Sequence, residues 1–165
     1  GKCVVGCYCG FGHAYAYLLI VYGEHGWMAV LQITSVLARK VLHYGDVMER
    51  TVVAAKQPGF GDAGWDELAA LMDTAKFQRV GNDKAVMGWE VYRGLLTGWA
   101  TTTDFWAQFH RISEVGNVVY LELTEHNTPR NDLGGGAESV VNSLSVYEYD
   151  DAGKLVRLQI YLQHD

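Results

Sequence analysis

In Val118-Val119-Tyr120-Leu121-Glu122-Leu123-Thr124-Glu125 the apolar residues recur at every second position. Side chains of a strand alternate between its two faces, so one face carries Val119, Leu121, Leu123 and Glu125. The other carries Val118, Tyr120, Glu122, Thr124 and His126. The first face is apolar and ends in an acid, as in the wall of a hydrophobic pocket with one working carboxyl. Downstream, Ser139 to Tyr149 and Leu155 to Gln163 repeat the period of two. Asp150-Asp151-Ala152-Gly153 between them has the residue types of a hairpin turn. Upstream, Thr102 to Ser113 is a further strand, and Gly116-Asn117 turns it into Val118 to His126. Asn127 to Gly136, with Pro129 and three glycines, reads as a long polar loop.

Before these strands the period changes. Helices are expected over Val47 to Gln57, ended by Pro58-Gly59, over Trp65 to Met72, and over Met87 to Trp99, where Val91, Leu95 and Trp99 stand at four-residue steps. Thr74 to Val80 reads as a strand ending at Gly81-Asn82-Asp83. Helices, a strand, a helix and then four strands joined largely by hairpins predict an α+β fold with an antiparallel sheet. Residues 1–46 are poorer in charge and hold Cys3, Cys7 and Cys9. Within them Ala14 to Tyr22 is a strand candidate, and Trp27 to Tyr44 repeats Val30, Ile33, Leu37, Val41 and Tyr44 at helical steps, with Gly45 as a stop. The expected organisation is an N-terminal extension over 1–46 and a domain over 47–165.

The chain has 165 residues, 49% of them hydrophobic and 19% charged, which suits one globular domain with or without an appendage. A formal net charge of −6 argues against a nucleic-acid binder or a binder of anionic membranes, both of which need basic faces. The longest apolar run, Ala14 to Tyr22, is nine residues, against about 20 for a membrane span. No small-x-small cleavage site follows it, so a cytoplasmic location is expected. Cys3, Cys7 and Cys9, even with His13, make neither a disulfide framework nor a complete zinc site, and free thiols are expected. The chain has no H-E-x-x-H, no paired C-x-x-C and no G-x-S-x-G, and Gly134-Gly135-Gly136 lacks the lysine and helix of a phosphate cradle. No metal and no cofactor are therefore expected.

A resemblance rests on five passages: Trp65-Asp66-Glu67-Leu68-Ala69-Ala70-Leu71-Met72 running into Ala75-Lys76-Phe77-Gln78-Arg79-Val80, Trp89-Glu90-Val91-Tyr92-Arg93-Gly94-Leu95-Leu96, the Val118–Glu125 strand, Val146 to Leu155, and Leu158-Gln159-Ile160-Tyr161. In order and in turns they resemble the NTF2-like superfamily, in particular SnoaL-like and limonene-epoxide-hydrolase-like proteins, over residues 47–165. The resemblance implies a cone, in which a curved antiparallel sheet wraps about three helices and leaves a central pocket.

In the epoxide hydrolase branch the resemblance implies an Asp-Arg-Asp arrangement with a Tyr and an Asn holding water. Glu125 falls at one Asp, Leu123 at the Arg, Ile160 at the second Asp, and Phe77 and Arg79 at the Tyr and Asn. The departures disfavour that hydrolysis. In the ketosteroid isomerase branch a base and a donor pair to an oxyanion are needed. Glu125 is the candidate acid–base group, raised by an apolar setting; the plainer alternative is a rim acid paired with Arg79. His110 at the cavity mouth is a candidate acid or base, and the alternative is a polar position on the sheet. Asp83 is either a base or a turn residue, and Tyr92 and Tyr161 are candidate donors. Phe77, Trp99, Leu123, His126 and Ile160 are the expected ligand-binding residues, while Trp89, Trp99 and Trp106 serve as core and pocket walls. Two functions are expected from these residues. The first is a small apolar molecule held in the pocket and turned over by cofactor-free isomerisation or cyclisation. The alternative is a non-catalytic ligand-binding or assembly domain, with epoxide hydrolysis behind both. A homodimer through the outer face, with Tyr120, Glu122 and Thr124 at its interface, follows from the resemblance.

Overall fold

The computed structural model describes residues 35–163 in full, and the backbone at Val4–Val5, Tyr17–Tyr22 and Met28–Ile33. These three short strands, β1 (Val4–Val5), β2 (Tyr17–Tyr22) and β3 (Met28–Ile33), form an antiparallel sheet in the order β1-β2-β3. Met28 pairs with Tyr22 and Ile33 with Tyr17. The helix expected from Trp27 is therefore a strand over Met28–Ile33. A short apolar run satisfies either period, and pairing with β2 decides between them. Cys3, Cys7, Cys9 and His13 lie outside the described residues.

Helix α1 (Val36–Ala54) follows. It merges the C-terminal part of one expected helix with most of the next, so the composition change at Asp46 falls inside a helix. Ala38, Val41, Tyr44, Val47, Met48, Thr51 and Val52 form one buried stripe along it. Gly45, expected as a stop, continues the helix instead. A Cβ there would lie 3.4 Å from the Phe109 ring, so the glycine allows close approach of the next layer. Ser35 caps the N-terminus, its hydroxyl accepting from the Ala38 N–H at 3.2 Å. The Glu114 carboxylate accepts from the same N–H at 3.2 Å and from the Ser35 hydroxyl. A carboxylate at this end of the helix also meets the positive end of its dipole.

A 3₁₀ turn over Asp62–Trp65 leads into the short α2 (Asp66–Ala69), shorter than the expected helix. Trp65 is fully buried, and its Nε1–H donates to Thr97 Oγ1 at 2.8 Å. Strands β4 (Gln78–Val80) and β5 (Val86–Met87) precede α3 (Trp89–Thr102). The long strands β6 (Thr103–Val115), β7 (Val118–Pro129), β8 (Ser139–Tyr149) and β9 (Leu155–Gln163) complete the second sheet. Its order is β5-β4-β9-β8-β7-β6. All its pairings are antiparallel except β4 with β9, which is parallel, so the sheet is mixed rather than purely antiparallel. β4 can join only after the chain has crossed α3 and the whole meander, which local patterning does not reveal.

The sheet curves around the three helices. Val41, Tyr44 and Val47 of α1, Trp89, Tyr92 and Leu96 of α3, and Val119, Leu121, Tyr147 and Leu158 of the strands share one buried core. A chain beginning at Ser35 retains every core residue found among the described residues. It is expected to unfold cooperatively near the full-length midpoint. A chain beginning at Val47 loses Val41 and Tyr44, each worth about 1.5–3 kcal/mol of burial, and is expected to lose the cooperative transition in circular dichroism melts.

Candidate functional site

The inward residues of the four long strands are predictable from alternation and the bulges. On β7 they are Val119, Leu121, Leu123, Glu125 and Asn127; on β9, Leu158, Ile160 and Leu162. On β8 the buried row runs Tyr149, Tyr147, Ser145, Ser143. Bulky rings fill one end of the cone, and the change to serine leaves space at the other. There a cavity of about 880 Å³ opens, walled by these rows and by residues of α1, α3 and β6. Tyr44, Met48, Leu95, Trp99, Phe105 and Phe109 give it a largely apolar surface.

Polar groups interrupt these walls, among them Glu125, Glu49, Arg79, Tyr92 and Asn127. Glu125 is largely buried, and burial raises its carboxyl above the ordinary range. The Arg79 guanidinium and the adjacent Ser143 hydroxyl pull the other way without overcoming it. Ser143 Oγ lies beside the carboxyl yet closes no hydrogen bond of normal geometry. Arg79, on β4, has a buried Nε without a partner. Between β4 and β7 stand β9 and β8, which in a flat sheet would separate them by roughly 14 Å. Curvature brings Arg79 and Glu125 to the same cavity, but not to ion-pair distance. The Tyr92 hydroxyl is paired with that of Tyr44 at 3.3 Å, and burial raises both phenols. Trp99 Nε1–H donates to Asn127 Oδ1 at 3.0 Å, which fixes the indole as a wall.

Of the residues singled out from sequence, Glu125, Arg79, Trp99, Leu123 and Ile160 meet in this cavity. Phe77 does not line it: the ring is buried in the core against Trp89 and Tyr92. His110 lies on the outer face, its Nε2 2.7 Å from Thr124 Oγ1. It occupies a bulge, where the register shifts between Phe109 and Arg111, so both His110 and Arg111 face outward. His126 is also on the outer face, stacked on Trp106 at 3.6 Å between ring centres, with Nδ1 3.2 Å from Glu138. Asp83 is a turn residue accepting from the Ala85 N–H at 3.0 Å, and Tyr161 is exposed. Tyr44 lies in the segment expected to be an extension, Met48 in an expected helix with no site role assigned to it, and Asn127 in an expected loop. The Tyr-to-Ser gradient of β8 was a legible signal of where the cavity begins.

Among the described residues no cluster of His, Cys, Asp or Glu suited to a metal ion occurs, and no helix is long and apolar enough to cross a membrane.

A raised carboxyl binds its proton more tightly in the folded than in the unfolded chain. Its stabilising contribution is complete below the unfolded value, about 4.3, and is lost as pH rises through the folded value. Glu125→Gln has no charge to bury. Its melting temperature is expected to gain on wild type as pH rises from about 4 through the range in which the buried carboxyl ionises. An unchanged difference across that range would contradict a desolvated Glu125.

No protein-family model matches the sequence, and no curated protein is significantly similar to it. Solved structures do match in fold. An NTF2-like protein of unknown function from Exiguobacterium sp. 255-15 has a TM-score of 0.60 at 14% identity, covering 76% of this chain and 99% of that one. A SnoaL-like polyketide cyclase from Agrobacterium tumefaciens has a TM-score of 0.58 at 17% identity, with 78% and 92% covered. An LEH-like epoxide hydrolase from M. tuberculosis has a TM-score of 0.50 at 19% identity, with 72% and 84% covered. The likeness is one of architecture, and with its curved six-stranded sheet folded about three helices this chain has the NTF2-like fold.

Proposed function

We propose that this chain binds an apolar small molecule in the cavity and acts on it by proton transfer at Glu125, as a cofactor-free isomerase or cyclase. One observation carries the reading: a carboxyl without an ion-pair partner, raised by burial, stands in the wall of a largely apolar cavity of about 880 Å³. Such a group holds and releases a proton closer to neutral pH than an exposed glutamate, as general acid–base catalysis requires. The Tyr92 hydroxyl, backed by Tyr44, is a donor for charge developing on a substrate oxygen. The fold is shared with a SnoaL-like polyketide cyclase and also with an LEH-like epoxide hydrolase, so the residues of the site, not the fold, favour this chemistry over hydrolysis. Leu123 and Ile160, at the positions the resemblance gives to the Arg and second Asp of an epoxide-opening site, are apolar walls. Binding without turnover is the second reading, favoured by the separation of Arg79 from Glu125.

The test is a panel of apolar ketones, lactones and epoxides, screened by thermal shift and then by turnover. A compound that stabilises both wild type and Glu125→Gln, and whose conversion falls about 10²–10⁴-fold in the variant, supports catalysis. Stabilisation without turnover in either protein supports binding alone. No stabilisation by any compound overturns both.

We further propose a homodimer through the outer sheet face, where Trp106, Tyr120, Val140 and Tyr161 are 46%, 37%, 53% and 51% exposed. Sedimentation at micromolar concentration is expected to give twice the chain mass, and Tyr161→Glu the monomer. A monomeric wild type would reject the dimer.

A further inference from the structure

Arg50, Arg93, Arg111 and Arg130 each form an ion pair outside the cavity. Arg79 forms none among the described residues and lines the cavity. It is the one cationic side chain among the cavity walls, and among the described residues it pairs with no carboxylate. The nearby Asp83 carboxylate is turned to the Ala85 N–H instead. Room is made for the guanidinium by Gly81, where a Cβ would lie 2.5 Å from the Arg79 Nη1 nitrogen. A buried donor without an acceptor is costly to keep, and a ligand acceptor removes that cost.

The guanidinium is a planar fork that matches a carboxylate with two parallel hydrogen bonds. Burial pushes the Glu125 carboxyl up, which lessens its repulsion of an anionic head group. A single fixed positive charge suits a singly charged head group better than a phosphate dianion. The remaining walls are largely apolar, with Trp99, Leu123, Phe109 and Ile160 among them, and Glu49 of α1 is the second carboxyl of the lining.

We propose that the cavity selects an apolar monocarboxylate, its head group on the Arg79 fork and its hydrocarbon or aromatic body against Trp99, Leu123, Phe109 and Ile160. Arg79 is then the specificity-determining residue. This inference rests on the reading of the cavity as a ligand site.

The experiment is calorimetric titration of the full chain with 2-naphthylacetate and with its uncharged amide, 2-naphthylacetamide. Wild type is expected to bind the acid at least tenfold more tightly than the amide. In Arg79→Met the ratio of the two affinities is expected to fall to about one, with partial recovery in Arg79→Lys. Gly81→Ala, which displaces the guanidinium while keeping its charge, is expected to lower the ratio as well and covers the case in which Arg79→Met fails to fold. Amide binding equal to or tighter than acid binding in wild type overturns the carboxylate inference and leaves the ligand site standing. An acid preference that survives Arg79→Met overturns the assignment to Arg79. Binding of neither probe counts against the ligand site itself, and the inference falls with it.

Discussion

Everything in the cone depends on the register of β7 between β6 and β8. Leu121 opposes Ile112 on one side and Ser145 on the other, and Leu123 opposes Phe109 and Ser143. A slip of one residue would turn Leu123 and Glu125 to the outer face and bring Tyr120, Glu122 and Thr124 inside. Core, cavity and acid would be lost together. The register is held at the hairpin end, where Gly116 takes a positive φ of 62° and the Asn117 side-chain amide donates to the Tyr149 carbonyl at 2.8 Å. It is held along the outer face by Arg111 and Glu122, paired across the strands at 3.0 Å. The bulge at His110 is part of the same arrangement, because the extra residue lets β6 bend while Phe109 and Ile112 both stay inside.

The helices are pinned to this sheet at their ends as well as along their faces. Glu114, from the β6 end of the hairpin, closes the N-terminus of α1. Lys56, just beyond α1, donates to the Ala100 and Thr103 carbonyls at 2.5 Å and so caps the end of α3. Burial lowers the Lys56 ammonium, with Asp104 opposing the shift. Among the described residues no ion pair joins two residues of the cavity wall.

Much of the site was legible because strands advertise their faces. The alternation through Val119–Glu125 placed Glu125 with the apolar row, and the same rule joined Leu158, Ile160 and Leu162. Phe77 and Arg79 alternate correctly yet separate in role, since Phe77 is buried against Trp89 and Tyr92 while Arg79 lines the cavity. His110 and His126 fell to the outer face, one through a bulge that no local pattern announces and one because its parity is that of Thr124. Helix α1 was cut in two because glycine was given its usual meaning as a stop. Its actual meaning was the distance to Phe109.

By itself, the sequence determined the meander of long strands, the turns that join them, the inward rows and the acid at the end of one of them. Each follows from alternation and turn chemistry within about ten neighbouring residues. Only the tertiary structure decided that β4 pairs in parallel with β9, that α1 runs through residue 46, and that Arg79 and Tyr92 share a cavity with Glu125. Those outcomes depend on sheet curvature and on contacts between segments far apart in the chain. Neither is encoded in the period of any single stretch.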